Sequence, residues 1–117
     1  MAIKKWTEHE VQVYVCKYLK SKGLKFWAVP NGFILNGDTK NIARYRNYMK
    51  EEGVTKGVFD ITILLGNGKT AFLEIKTIHG KPKPEQNKWL KYFIENNYPA
   101  KICTGLGECI DFIDSLL

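Results

Sequence analysis

The chain has 117 residues, 44% hydrophobic and 13% aromatic, enough apolar side chain for one compact core spanning residues 1–117 and too few residues for a second domain of ordinary size. Its 18 Lys and Arg against 12 Asp and Glu leave a formal charge of +6, which points toward polyanionic partners such as nucleic acid. Short apolar runs and an N-terminus (MAIKKWTEHE) without an apolar signal region argue against a membrane span or a secretory leader, so a cytoplasmic setting is expected.

Thr7 followed three residues later by Glu10 has the form of a capping box, and Trp6 with Val11 that of a hydrophobic staple. A helix should therefore begin near Glu8 and end near Gly23, with Val11, Val15, Tyr18 and Leu19 on one side and Lys17 and Lys20 away from it. Lys25 to Val29 reads as a short strand closed by Pro30-Asn31-Gly32. Phe33 to Lys56 is less regular: Asn36-Gly37-Asp38 marks a turn, and Asn41 to Glu52 is expected to form a polar helix carrying Arg44, Arg46 and Lys50, stopped by Gly53.

The middle of the chain reads as a hairpin. Phe59, Ile61, Ile63 and Leu65 alternate with Asp60, Thr62 and Leu64, Gly66-Asn67-Gly68 offers a tight turn, and Thr70 to Ile78 returns. On that second strand Ala71, Leu73 and Ile75 share one face and Phe72, Glu74 and Lys76 the other. Pro84 suits the first position of a following helix that reaches about Asn96, with Glu85 at its positive end. Tyr98 to Thr104 is a last strand and Glu108 to Leu117 a last helix with Cys109, Ile110, Ile113 and Leu116 apolar. Cys16, Cys103 and Cys109 form no CxxC pair, so buried, reduced thiols are expected rather than a disulfide framework or a zinc ribbon.

Asp60 and Glu74-Ile75-Lys76 would lie on adjacent antiparallel strands, bringing two carboxylates and one ammonium together. A hard cation such as Mg²⁺ wants oxygen ligands, which Asp60, Glu74 and the Ile75 backbone carbonyl would supply, and Lys76 would orient or deprotonate a water or stabilise charge in the transition state. A lone D…ExK is short and common, and equally describes strand carboxylates paired with lysines. Gln86 adds weight, because a buried amide in the middle of the core-facing stripe with Trp89, Leu90 and Phe93 needs a partner, either at the metal site or elsewhere in the core. On the first helix Glu8 projects nearer the apolar side than Glu10, which has a capping task, so Glu8 is the acid expected to reach the metal, directly or through water. Arg44, Arg46, Lys56, Lys81, Lys83 and Lys88 are candidates for DNA backbone contacts, each also readable as solvated surface; Asn31 either makes an Asx-type turn before Gly32 or lines the substrate groove; and His9 and His79 are expected to face solvent, with a phosphate contact open to His79.

Taken together, Glu8 with Gln12, Val29-Pro30-Asn31-Gly32, Glu52-Gly53-Val54-Thr55-Lys56-Gly57-Val58-Phe59-Asp60, Glu74-Ile75-Lys76 and Pro84-Glu85-Gln86 resemble the VRR-NUC domain of the PD-(D/E)xK nuclease superfamily over nearly the whole chain. Phe59 stands where the superfamily has a proline before the aspartate, a departure that removes no ligand. The resemblance implies an α/β, restriction-endonuclease-like mixed sheet flanked by helices in the order α-β-α-β-β-α-β-α, with Asp60 and Glu74 as metal ligands, Lys76 assisting catalysis, Gln86 supporting the site and Glu8 as the helix acid. Stand-alone members occur in phages and bacteria, and some resolve Holliday junctions as homodimers. The expectation is a Mg²⁺- or Mn²⁺-dependent endonuclease acting on branched DNA as a homodimer, without an organic cofactor. The rivals are a flap or single-strand nuclease and a non-catalytic basic DNA-binding module.

Overall fold

The computed structural model describes residues 5–30 and 39–117, with side chains described from residue 43 in the second stretch. Eight elements follow one another: α1 (Glu8–Ser21), β1 (Lys25–Ala28), α2 (Thr39–Glu51), β2 (Ile61–Gly66), β3 (Lys69–Lys76), α3 (Pro84–Glu95), β4 (Ala100–Thr104) and α4 (Gly105–Ser115). The sequence reading anticipates each of them in type and order.

The start of α1 is closed as its sequence dictates: Glu10 N–H donates to Thr7 Oγ1 and Thr7 N–H to Glu10 Oε1, both at 3.1 Å. Trp6, the proposed staple, packs edge-on against Tyr14 with ring centroids 5.4 Å apart. The four strands form one sheet in the order β1-β2-β3-β4. β1, β2 and β3 are antiparallel, with Ala28 opposite Ile61 and Ile61 opposite Leu73. β4 joins parallel to β3, Lys76 lying beside Thr104, and α3 makes the crossover that a parallel pair requires. The β2–β3 hairpin turns through Asn67 and Gly68, with φ of 53° and 76°. Two successive positive φ values define the type I′ turn that matches strand twist, hence Asn-Gly.

Two layers cover the sheet. On one face Val11, Val15 and Leu19 of α1 and Cys109 and Ile113 of α4 bury Ile61, Ile63, Ala71, Leu73, Ile75 and Cys103. Cys103 and Cys109 are buried free thiols, and Cys16 is a half-buried one. On the other face Phe93 of α3 stacks on Phe72, centroids 4.1 Å apart, and meets Phe59 edge-on at 5.2 Å. α2 exposes Arg44, Tyr45, Arg46, Tyr48 and Lys50 and buries Met49. No described helix is long and apolar enough to cross a membrane.

Two expectations need correction. Phe59 does not continue the Ile61–Ile63 face: the strand begins at Ile61, and a bend at Asp60 turns Phe59 to the α3 side. The last helix starts at Gly105, ahead of the expected Glu108, because the Glu108 carboxylate folds back to accept Thr104 N–H at 3.2 Å and closes the first turn.

Candidate active site

Asp60 sits where β1 has ended and β2 is about to begin, and its backbone is fixed from both sides. Its carbonyl accepts Val29 N–H at 2.7 Å, and its own N–H donates to Glu74 Oε1 at 3.1 Å. The side chain is fixed as well, since Oδ2 accepts the Ile75 N–H at 2.9 Å. A strand residue sends its N–H and C=O toward the same edge, so the Ile75 carbonyl is directed to the edge that Asp60 occupies, beyond the end of the β2–β3 ladder.

Glu74 reaches this place from the α3 face of β3, as alternation from Phe72 requires. It is only 2% exposed, Asp60 only 8%, and such carboxylates must be neutralised or bonded. Gln86, in the first turn of α3, supplies a bond: Nε2 donates to Glu74 Oε2 at 3.0 Å, and Oε1 accepts Lys83 N–H at 2.9 Å. This amide thereby caps its own helix and orients the acid, so it is buried with both ends of its amide engaged. Lys76 Nζ lies 3.4 Å from Glu74 Oε2 with its side chain 12% exposed.

Glu8, exposed at the first position of α1, completes the group. One carboxylate oxygen from each of Glu8, Asp60 and Glu74 lies within 4.8 Å of the others. Glu10 is engaged with Thr7 instead. Crowding of like charge shows in the proton affinities. Burial, then the Asp60 charge and a hydrogen bond with Asp60, push Glu74 up to about 8 against the opposite pull of Lys76. Burial and then Asp60 also raise Glu8, offset in part by Lys76 and Lys83. A donor set made only of oxygens, with surplus negative charge and no His or Cys, suits a hard divalent cation such as Mg²⁺ or Mn²⁺.

One positioning residue escapes sequence reading. Gly57 has φ +84°, and a Cβ built there would stand 2.5 Å from Glu85 Cβ and 3.2 Å from Gln86 N. The loop before Asp60 thus lies directly on the first turn of α3, and only glycine permits that approach. The signal was Gly57 within the Lys56-Gly57-Val58-Phe59-Asp60 stretch, but what it packs against is not local. Lys56 adds an exposed ion pair with Glu85 at 3.7 Å. Among the other sequence candidates, Lys81, Lys83, Lys88, Arg44 and Arg46 are exposed, as are His9 and His79, and Asn31 lies outside the described residues.

The sequence model of the VRR-NUC domain matches residues 33–106, a span that holds Asp60, Glu74, Lys76 and Gln86 and leaves out Glu8. A solved structure described as a VRR_NUC domain protein superposes with a TM-score of 0.75 at 20% identity, covering 98% of this chain and 91% of the other. A second, described as a VRR_NUC domain, gives 0.64 at 18% identity with coverages of 92% and 94%. At these identities the likeness is one of fold. No curated protein gives a significant match.

Proposed function

This chain belongs to the VRR-NUC domain family, a family of nuclease domains, and from that premise we propose that it is a Mg²⁺- or Mn²⁺-dependent endonuclease that hydrolyses DNA phosphodiester bonds, with all of residues 1–117 forming the working unit. The observation that carries the reading is the convergence of Glu8, Asp60 and Glu74 within 4.8 Å, beside the nearly buried ammonium of Lys76. Asp60, Glu74 and the Ile75 carbonyl would hold the cation, with Glu8 joining directly or through water. When bound, the cation supplies charge neutralisation at the phosphate and an acidified water.

The chain's own residues have separate tasks. Asp60 is held by Ile75 N–H and Glu74 by Gln86, so both carboxylates are oriented before substrate arrives. Lys76 stabilises the charge that grows on the phosphoryl oxygens, or orients the attacking water. Gln86 touches Glu74 and acts as a positioning residue. Arg44, Arg46, Lys56, Lys81 and Lys83 are assigned to the DNA backbone, the first two from the exposed face of α2, and Asn31 to the lining of the substrate groove.

The preferred substrate is branched DNA, a four-way junction cut by a homodimer in a cytoplasmic setting, because the described residues of one chain hold one such centre and paired incision needs two related by C2 symmetry. The test is cleavage of a labelled four-way junction, a 5′ flap, a 3′ flap and plain duplex at one salt concentration with Mg²⁺, Mn²⁺ or Ca²⁺, alongside light scattering of the complex. Paired incisions by a dimer, abolished by EDTA, are expected. Flap cleavage by a monomer would replace junction resolution, and equal binding with and without EDTA but no cleavage of any DNA would remove the enzymatic reading.

A further inference from the structure

Past its first turn, α3 presents a different surface. Lys88, Trp89 and Tyr92 line a shallow, open depression of about 440 Å³. Trp89 and Tyr92 meet edge to face, centroids 5.9 Å apart at 77°, so the two rings present planes nearly at right angles. Neither ring is loosely hung. Trp89 leans on Phe93 at 5.6 Å and 31°, and Phe93 is stacked on Phe72 of the sheet. Yet Tyr92 is 52% exposed, and Trp89 is half-buried.

We propose that this cleft binds an unpaired nucleobase of the DNA strand being cut. The proposal rests on the nuclease reading of the neighbouring carboxylates and narrows its substrate class. A rigid aromatic corner with one ammonium at its rim and no carboxylate in its lining complements a flat heterocycle joined to a phosphate. What separates this surface from a protein-docking patch is Lys88, since lysine is depleted where proteins contact one another. Position supports the same occupant: Trp89 is one helical turn beyond Gln86, which bonds Glu74, a rise of about 4.5 Å along α3. A DNA strand advances about 3.4 Å per nucleotide, so a base seated here belongs within a few nucleotides of a phosphate at the carboxylates. In a duplex both faces of that base are covered by its neighbours. The favoured substrate therefore has unpaired nucleotides next to the cut, as at a flap or the open centre of a junction.

The test measures binding of the full chain by fluorescence anisotropy in EDTA, comparing a thymidine decamer with an abasic decamer of equal charge. The wild type should prefer the thymidine strand by between about five- and 150-fold, the range expected of one stacked base. Trp89→Ala and Tyr92→Ala should bring the ratio close to one, Trp89→Phe should keep most of it, and Lys88→Ala should weaken both strands alike. Tyr92 is exposed enough for Tyr92→Ala to fold even if Trp89→Ala does not. A wild-type ratio near one, or an unchanged ratio in Tyr92→Ala and whichever Trp89 variant folds, overturns the proposal, and so does a ratio that stays fixed while these variants turn a dimer into a monomer. Base-dependent binding without cleavage of any DNA would overturn the nuclease reading and leave this cleft standing. Cleavage without base preference would do the reverse.

Discussion

Replacing Glu74 by Gln should flatten the pH dependence of stability of the metal-free protein. In the folded chain Glu74 holds its proton up to about pH 8, whereas in the unfolded chain it sheds it near the ordinary value of 4.5. Between those limits the native state carries one proton more than the unfolded state, so stability is full below pH 4.5 and is lost as pH rises toward 8. One bound proton corresponds to about 1.4 kcal/mol per pH unit. From pH 5.5 to 7.5 the wild type should lose on the order of 2–3 kcal/mol from this group, allowing for partial ionisation as pH nears 8. The assay is urea unfolding in EDTA at four pH values, for wild type and Glu74→Gln. Groups remote from Glu74 titrate alike in both proteins and cancel in the difference, and the constant cost of the altered hydrogen bond to Gln86 moves the curve without tilting it. Parallel curves would refute the crowded-carboxylate account, and a saturating divalent cation should remove the wild-type tilt by holding Glu74 ionised.

Three further outcomes follow from particular contacts. Gly57→Ala should cost about 2–4 kcal/mol, from a positive φ and a Cβ pressed on Glu85, read as a lower urea midpoint, and it should slow cleavage by shifting Gln86. Lys76→Ala should lower the cleavage rate by about 10²–10³ while junction affinity in Ca²⁺ changes little, measured by single-turnover cleavage and anisotropy. Lys83→Ala should reduce the slope of log affinity against log salt by about one on duplex-containing DNA, and Arg44→Ala with Arg46→Ala by about two. An unchanged slope would remove those residues from the phosphate contacts.

Much of this molecule is legible in its sequence because the signals are local. Asn67-Gly68 specifies its turn, Thr7 and Glu10 their cap, and alternation puts Glu74 and Phe72 on one face. Helical geometry separates Glu8, whose carboxylate lies with Asp60 and Glu74, from Glu10, which bonds Thr7. The same geometry puts Gln86 on the buried side of α3, where it meets Glu74. What could not be read depends on partners distant in sequence. The Asp60 bend that turns Phe59 to α3 is fixed by Ile75 N–H on another strand. Gly57 is constrained by α3, whereas the early start of α4 rests on a local contact, the Glu108 carboxylate folding back on Thr104 at the end of β4. Trp89 falls on the expected core-facing stripe, yet periodicity could not tell that it stops short of full burial and walls a cleft with Tyr92.

The central claim is that the carboxylates gathered at Asp60 make this chain a metal-dependent nuclease. It is tested most directly by cleavage of labelled branched DNA in Mg²⁺ by wild type and Asp60→Asn, with folding of both checked by thermal melting. Asp60→Asn keeps an oxygen to accept the Ile75 N–H and removes the charge that makes ionised Glu74 costly, so near pH 8 it should melt no lower than wild type in EDTA. Its cleavage should fall by about a thousandfold or more, as loss of a metal ligand together with its charge requires. A well-folded Asp60→Asn that cuts at the wild-type rate would contradict the account.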